Sequence, residues 1–190
     1  MKINYKIAIV VCIALVILFF ALSYKNEQLG QNAPQNKNIL AKEEFDGRNA
    51  TFSIDGRQVT LKNGVSEEEA APGSASKIIT RYFGNEARGD LNFDGREDRA
   101  FLVTQEAGGS GLFYYAVAAI QTDSGYKTTN AFFVGDRIAP QPTYIPPNSG
   151  EIQVNYADRN EGEPMTAPLS RGVTLLLKVT PEGVLEGLMK

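Results

Sequence analysis

From residue 49 onward, short runs of alternating apolar and polar residues are cut by glycine, proline and Asp-Gly turns at intervals of roughly 8–12 residues. No stretch of this region carries the three-to-four-residue apolar period of a helix. A chain punctuated in this way buries its apolar side chains by pairing strands. "ATFSIDGRQVTL" alternates on both sides of Asp55-Gly56, a dipeptide suited to a two-residue hairpin. "KIITRYFGNEA", "RAFLVTQEA", "LFYYAVAAI" and "KTTNAFFVG" are further strand candidates, and the turns "GGSG" and "DSG" join the last three into a meander. "LFYYAVAAI" is apolar on both faces and reads as a central strand covered from both sides, with a helix as the alternative. "EIQVNYADR" puts Ile152, Val154 and Tyr156 on one face, "VTLLLKV" does the same with Val173, Leu175, Leu177 and Val179, and a turn at "PEG" returns the chain through "VLEGL". Residues 66–76 read as a loop, with Glu67 to Glu69 as a solvated face; the proline-rich residues 135–150 read as a long ordered loop. The expectation is an all-β small sandwich or barrel of about eight antiparallel strands.

The N-terminus differs sharply from the rest. Residues 7–22 are apolar without interruption, preceded by Lys2 and Lys6. The run is longer than a usual signal-peptide core and shorter than the roughly 20 residues that comfortably span a bilayer. Residues 1–24 are read as a signal anchor or transmembrane helix; small Ala21 and Ser23 leave room for cleavage, which would make the protein secreted. The leading lysines place the remainder on the extracytoplasmic side. Residues 25–48, rich in Asn, Gln and Lys, read as a flexible tether, and residues 49–190 as the exported domain.

Several chemistries are excluded by composition. The chain has no histidine, and its single cysteine, Cys12, lies within the apolar run. Catalytic triads built on histidine, and zinc sites of His/Cys type, are therefore absent, and the exported region has no disulfide. The net charge of −3, with scattered lysines and arginines, provides no basic field for nucleic acid. The expected partners are the membrane, through the N-terminal helix, and an envelope component or protein.

One stretch carries a chemical signal. "GDLNFDGRED" sets Asp90, Asn92 and Asp94 at alternate positions, then a glycine, then Asp98. A turning loop points such side chains inward, and their oxygens suit a hard cation that takes six to eight donors. The expected calcium ligands are the side chains of Asp90, Asn92, Asp94 and Asp98 and the main-chain carbonyl of Arg96. Two carboxylates about 4 Å apart repel by about 1 kcal/mol in water and about 4 at an effective dielectric near 20, so a tight cluster calls for compensation. The competing reading is a hairpin whose Asp and Asn side chains cap their own turn.

"DLNFDGRED" resembles the Asp-x-Asn-x-Asp-Gly-x-x-Asp calcium loop of FG-GAP repeats. It also shares the first half of the EF-hand loop, but Phe101 stands where that family has its glutamate, which favours a loop flanked by strands. Only one copy is present, so the resemblance does not extend to a propeller. Over most of the domain, "YFGNEARGDLNFDGRED", "GGSGLFYYAV", "GDRIAPQ", "VNYADR" and "GEPMTAP" are similar to a bacterial exported, lipoprotein-like family. That resemblance implies extracytoplasmic placement and supplies no catalytic residues.

Other candidates have plainer readings. "GGSG" at residues 108–111 reads as a hairpin turn and not a phosphate cradle, because no Gly-Lys-Ser/Thr follows. Asp136 and Asp158 each precede an arginine, with Glu161 and Glu163 close by; they read as structural ion pairs, and as an acid/base pair for glycan hydrolysis only if the fold brings them together. Tyr114, Tyr115, Phe132 and Phe133 read as core residues before a sugar-binding face.

Overall fold

The computed structural model describes residues 44–188, so the expected anchor and nearly all of the expected tether lie outside the described residues. Strand makes up 57 % of the structure and helix 2 %, which establishes the all-β class; the antiparallel sheets are open, and no barrel closes. Among the described residues the one helical element is a 3-10 turn, Gly47–Asn49, and none is long and apolar enough to cross a membrane.

Twelve strands follow in chain order among the described residues: β1 (Thr51–Ile54), β2 (Arg57–Thr60), β3 (Val65–Glu69), β4 (Lys77–Gly89), β5 (Asp98–Glu106), β6 (Phe113–Thr122), β7 (Gly125–Thr128), β8 (Phe132–Asp136), β9 (Ala139–Tyr144), β10 (Glu151–Asp158), β11 (Arg171–Val179) and β12 (Leu185–Gly187). The first two form a hairpin. Its turn residues Asp55 and Gly56 have φ of 49° and 78°, the positive pair that a tight hairpin of matching twist requires. The largest sheet runs β3-β4-β5-β6-β7, with β8 also paired to β6, and a four-stranded sheet runs β12-β11-β10-β9.

Both faces of β5 and β6 are covered, as the double-sided apolarity of residues 112–120 required. On one face Leu102, Ala116 and Ala118 meet Ile152, Val154, Leu177 and Leu185 of the four-stranded sheet. On the other, Phe101, Val103 and Val117 meet Phe52, Val59 and Leu61 of the hairpin. Phe101 anchors this second cluster, with the rings of Phe45, Phe52 and Tyr82 at centroid distances of 5.5, 6.2 and 5.6 Å.

Three expectations are corrected. Residues 65–69 form β3, where the sequence predicts a loop from residue 66: the edge strand pairs with β4, and its glutamates are exposed to water, a common guard against further strand addition. The run "KTTNAFFVG" is two strands, because Asn130 and Ala131 bridge to the hairpin while Thr129 stays on β6, its N–H donating to Ala118 O at 2.9 Å. There Ala131 N–H donates to Ser53 O at 2.7 Å, while Thr129 Oγ1 accepts the Ala118 N–H at 3.1 Å. The proline-rich segment 135–150 contains β9, an edge strand where Pro140 and Pro142 are tolerated because one side needs no ladder donor. Asn85 covers that outer side: its amide donates to Gln141 O, and its carbonyl accepts the Thr143 N–H at 3.3 Å.

Leu102, fully buried between the sheets, sets a test of this layering. Leu102→Ala is expected to destabilise the full chain by about 2–5 kcal/mol in urea unfolding. Glu68→Ala on exposed β3 should shift stability by no more than about 0.5 kcal/mol.

Candidate functional site

The acidic loop joins β4 to β5 at one end of the large sheet and is flanked by strands, not helices. Phe101, at the position where an EF-hand carries its glutamate, is a wholly buried strand residue.

Within the loop the backbone N–H groups turn toward the side-chain oxygens. The Asp94 N–H donates to Asp90 Oδ1 at 3.2 Å and to Asn92 Oδ1 at 3.1 Å, so these two oxygens converge on one point. Gly95 N–H donates to Asp90 Oδ2 at 2.8 Å, and Arg96 N–H to Asp94 Oδ1 at 2.8 Å. Asn92 Nδ2 donates to Asp94 Oδ2 at 3.0 Å. Four expected ligand residues thus lie in one turn: Asp90, Asn92, Asp94 and Arg96. Arg96 also spans Asp94 and Asp123 with its guanidinium, a role the sequence reading did not assign. The Arg96 N–H, ahead of the Asn92 amide, holds the Asp94 carboxyl below its ordinary range.

Asp98 is different. It is fully buried, and each oxygen is occupied: Oδ2 accepts the Leu91 N–H at 2.9 Å, Oδ1 the Gln121 N–H at 2.8 Å. One bond closes the loop on itself and the other ties it to β6. Burial pushes the Asp98 carboxyl up, the Gln121 and Leu91 N–H groups draw it down, and the charges of Asp94 and Asp90 raise it again. The expected repulsion between loop carboxylates is therefore felt at its buried member. Among the described residues no three acidic side chains gather so as to hold an ion by themselves; Asn92 and main-chain oxygens would have to complete any donor set. The donors present are all hard oxygens, the kind that suits calcium.

A second constellation forms at a cleft of about 360 Å³, lined by Asp136, Asp158, Glu161 and Glu163 together with Arg159 and Arg171. The convergence absent from the linear sequence arises from β10–β11 register, which sets Asp158 opposite Arg171, and from the end of β8. Most of these charges are engaged. Arg137 Nη2 donates to Asp136 Oδ2 at 2.7 Å, Arg171 Nη2 to Asp158 Oδ2 at 3.3 Å, and Asn160 N–H to Glu163 Oε2 at 2.8 Å. Arg137 holds the Asp136 carboxyl low, and Asn160 does the same for Glu163. A glycan hydrolase needs one carboxylic acid kept protonated by a raised pKa, and at Asp136 and Glu163 the shift runs the other way.

Tyr114 and Tyr115 are buried, as expected of core residues, whereas Phe133 is half exposed beside Tyr115 at a centroid distance of 5.6 Å. No protein-family model, curated protein or solved structure was found to match the chain.

Removing the Asp98 carboxylate leaves two buried N–H donors unpaired. Asp98→Ala should cost about 2–4 kcal/mol in urea unfolding, against less than about 1 for Arg96→Ala, whose ion pairs face water. Asp136, its pKa depressed in the folded state, contributes stability that is present above its unfolded value near 3.9 and lost as pH falls through the folded value. Urea unfolding between pH 2 and 6 should show part of the acid-limb slope disappearing in Asp136→Asn.

Proposed function

We propose that the chain is a membrane-tethered, extracytoplasmic β-sandwich module that binds an envelope component and whose 90–98 loop takes one structural calcium ion. The observation that carries the calcium reading is the convergence of Asp90 Oδ1 and Asn92 Oδ1 on the Asp94 N–H, beside a third oxygen-bearing side chain. These oxygens have lone pairs left after accepting their N–H bonds, and the charges of Asp94 and Asp90 weigh on buried Asp98. Asp90, Asn92 and Asp94 would hold the ion with the Arg96 carbonyl, and Asp98 would keep the loop seated on β6. The ion would supply charge compensation and rigidity, with no chemistry of its own. Tethering rests on the apolar run of residues 7–22 and the lysines before it.

A carboxylate-dependent glycan hydrolase is the second reading, supported by the meeting of Asp136, Asp158 and Glu163 at one cleft. The depressed carboxyls of Asp136 and Glu163 favour binding over proton donation.

An extracellular site of this kind works at a dissociation constant of about 10⁻⁴–10⁻³ M. At a hundredfold excess over that constant, calcium should stabilise the full chain by about 2.7 kcal/mol, raising its melting midpoint relative to chelator. Asp90→Ala should abolish the calcium response; identical midpoints for the unaltered chain in calcium and chelator would contradict the site. Turnover of cell-wall glycan that disappears in Glu163→Gln with the fold intact would reverse the choice between the two readings.

A further inference from the structure

Between the acidic loop, the β6–β7 hairpin and the β11–β12 turn lies a cleft of about 430 Å³, within the range of about 300–1,000 Å³ usual for small-molecule sites. Its floor is the end of the main core: Leu91 belongs to that core, and Ile120 and Val179 pack against it while remaining partly exposed. Pro181 and Phe93 complete the apolar wall. Phe93 is 65 % exposed and adopts φ of 62°, a conformation a bulky side chain enters only when its surroundings hold it there. A Cβ built on Gly150 would come within 2.9 Å of the Phe93 ring, so the ring rests against that glycine's backbone at the rim of the cleft.

The hydroxyl groups along the cleft are turned to the protein itself. Thr122 Oγ1 donates to Gly125 O at 2.9 Å, Thr129 Oγ1 to Asn130 O at 2.8 Å, and Thr128 Oγ1 to Thr51 O. Thr180 Oγ1 accepts the Val184 N–H, and its side chain also bonds Glu182. Asn92 turns to the acidic loop, donating to Asp94 Oδ2 and accepting the Asp94 N–H. Lys127 is the exception: its ammonium has no hydrogen bond or ion pair among the described residues, and no carboxylate lines the cleft. Its ammonium stands over the β11–β12 turn, where a Cβ on Gly183 would lie 3.7 Å from Nζ. An apolar floor with one unpaired cation at its mouth is complementary to a ligand with an apolar body and one anionic head.

We propose that this cleft binds a small amphipathic anion, with its aliphatic or aromatic body on Leu91, Ile120, Val179 and Phe93 and its carboxylate on Lys127. This names the ligand class for the binding-module reading above and does not depend on calcium. Burying the body extends the core by covering surface that the two sheets leave open at this end. The head takes up an ammonium that has no partner among the described residues.

The test uses the full chain in zwitterionic nanodiscs and a photoreactive diazirine analogue of decanoic acid, with labelled peptides mapped by mass spectrometry. Saturable labelling of peptides containing residues 91–93 or 179–183, displaced by decanoate, is the expected result. Lys127→Ala should weaken capture by about tenfold or more and Lys127→Arg by less than about threefold, with both melting like the unaltered chain. The same tail carrying a trimethylammonium head should not be captured. Labelling confined to other peptides, indifference to Lys127→Ala, or equal capture of the cationic analogue would overturn the proposal. Each arm is run in calcium and in chelator. Capture in both, with melting midpoints that ignore calcium, upholds the cleft and removes the calcium reading; a calcium-dependent midpoint without capture removes the cleft alone.

Discussion

A carboxylate withdrawn from water must be satisfied by what surrounds it, and at Asp98 two backbone N–H groups do so. Because one belongs to Leu91 and the other to Gln121, a single side chain closes the acidic loop and fastens it to the central strand β6. Leu91, drawn in by the same bond, becomes part of the main core and the floor of the neighbouring cleft. Loop, core and cleft are thus held at one end of the fold by one charged group whose ionisation is opposed by burial and by Asp94 and Asp90.

Much of the β architecture was legible in the sequence, because a strand with one buried face has to alternate. Ile152, Val154 and Tyr156 sit inward as their spacing required, and β6 is covered on both faces as its continuous apolarity required. What could not be read was pairing that depends on distant groups. Nothing local shows that Asn85 will serve the outer side of β9, or that Asn130 and Ala131 will cross to the hairpin. An acidic edge such as β3 lacks the apolar alternation that marks a half-buried strand.

The candidate site was legible to a similar depth. Asp90, Asn92 and Asp94 announce a turn dense in oxygens, and the structure brings them together with both compensating devices present, N–H donors and the Arg96 guanidinium. The inward turn of Asp98 was hidden, since spacing cannot distinguish an oxygen that faces an ion from one that faces an N–H group. Asp136, Asp158 and Glu163 were visible singly; their meeting depends on how β8 and the β10–β11 pair are placed, which no motif encodes. That the Lys127 ammonium finds no partner among the described residues likewise emerges only from the placement of the β11–β12 turn beneath it.

Hydrogen bonds within the loop and a bound cation are compatible, since a carboxylate oxygen that accepts an N–H keeps a lone pair for a metal. They differ in where calcium would be felt. Backbone amide resonances of the full chain, followed during a calcium titration, test this directly. The account predicts saturable shifts at Asp94, Gly95 and Arg96, while the Leu91 and Gln121 amides stay protected from exchange with solvent. Amides of residues 90–98 that remain unmoved at millimolar calcium would contradict it.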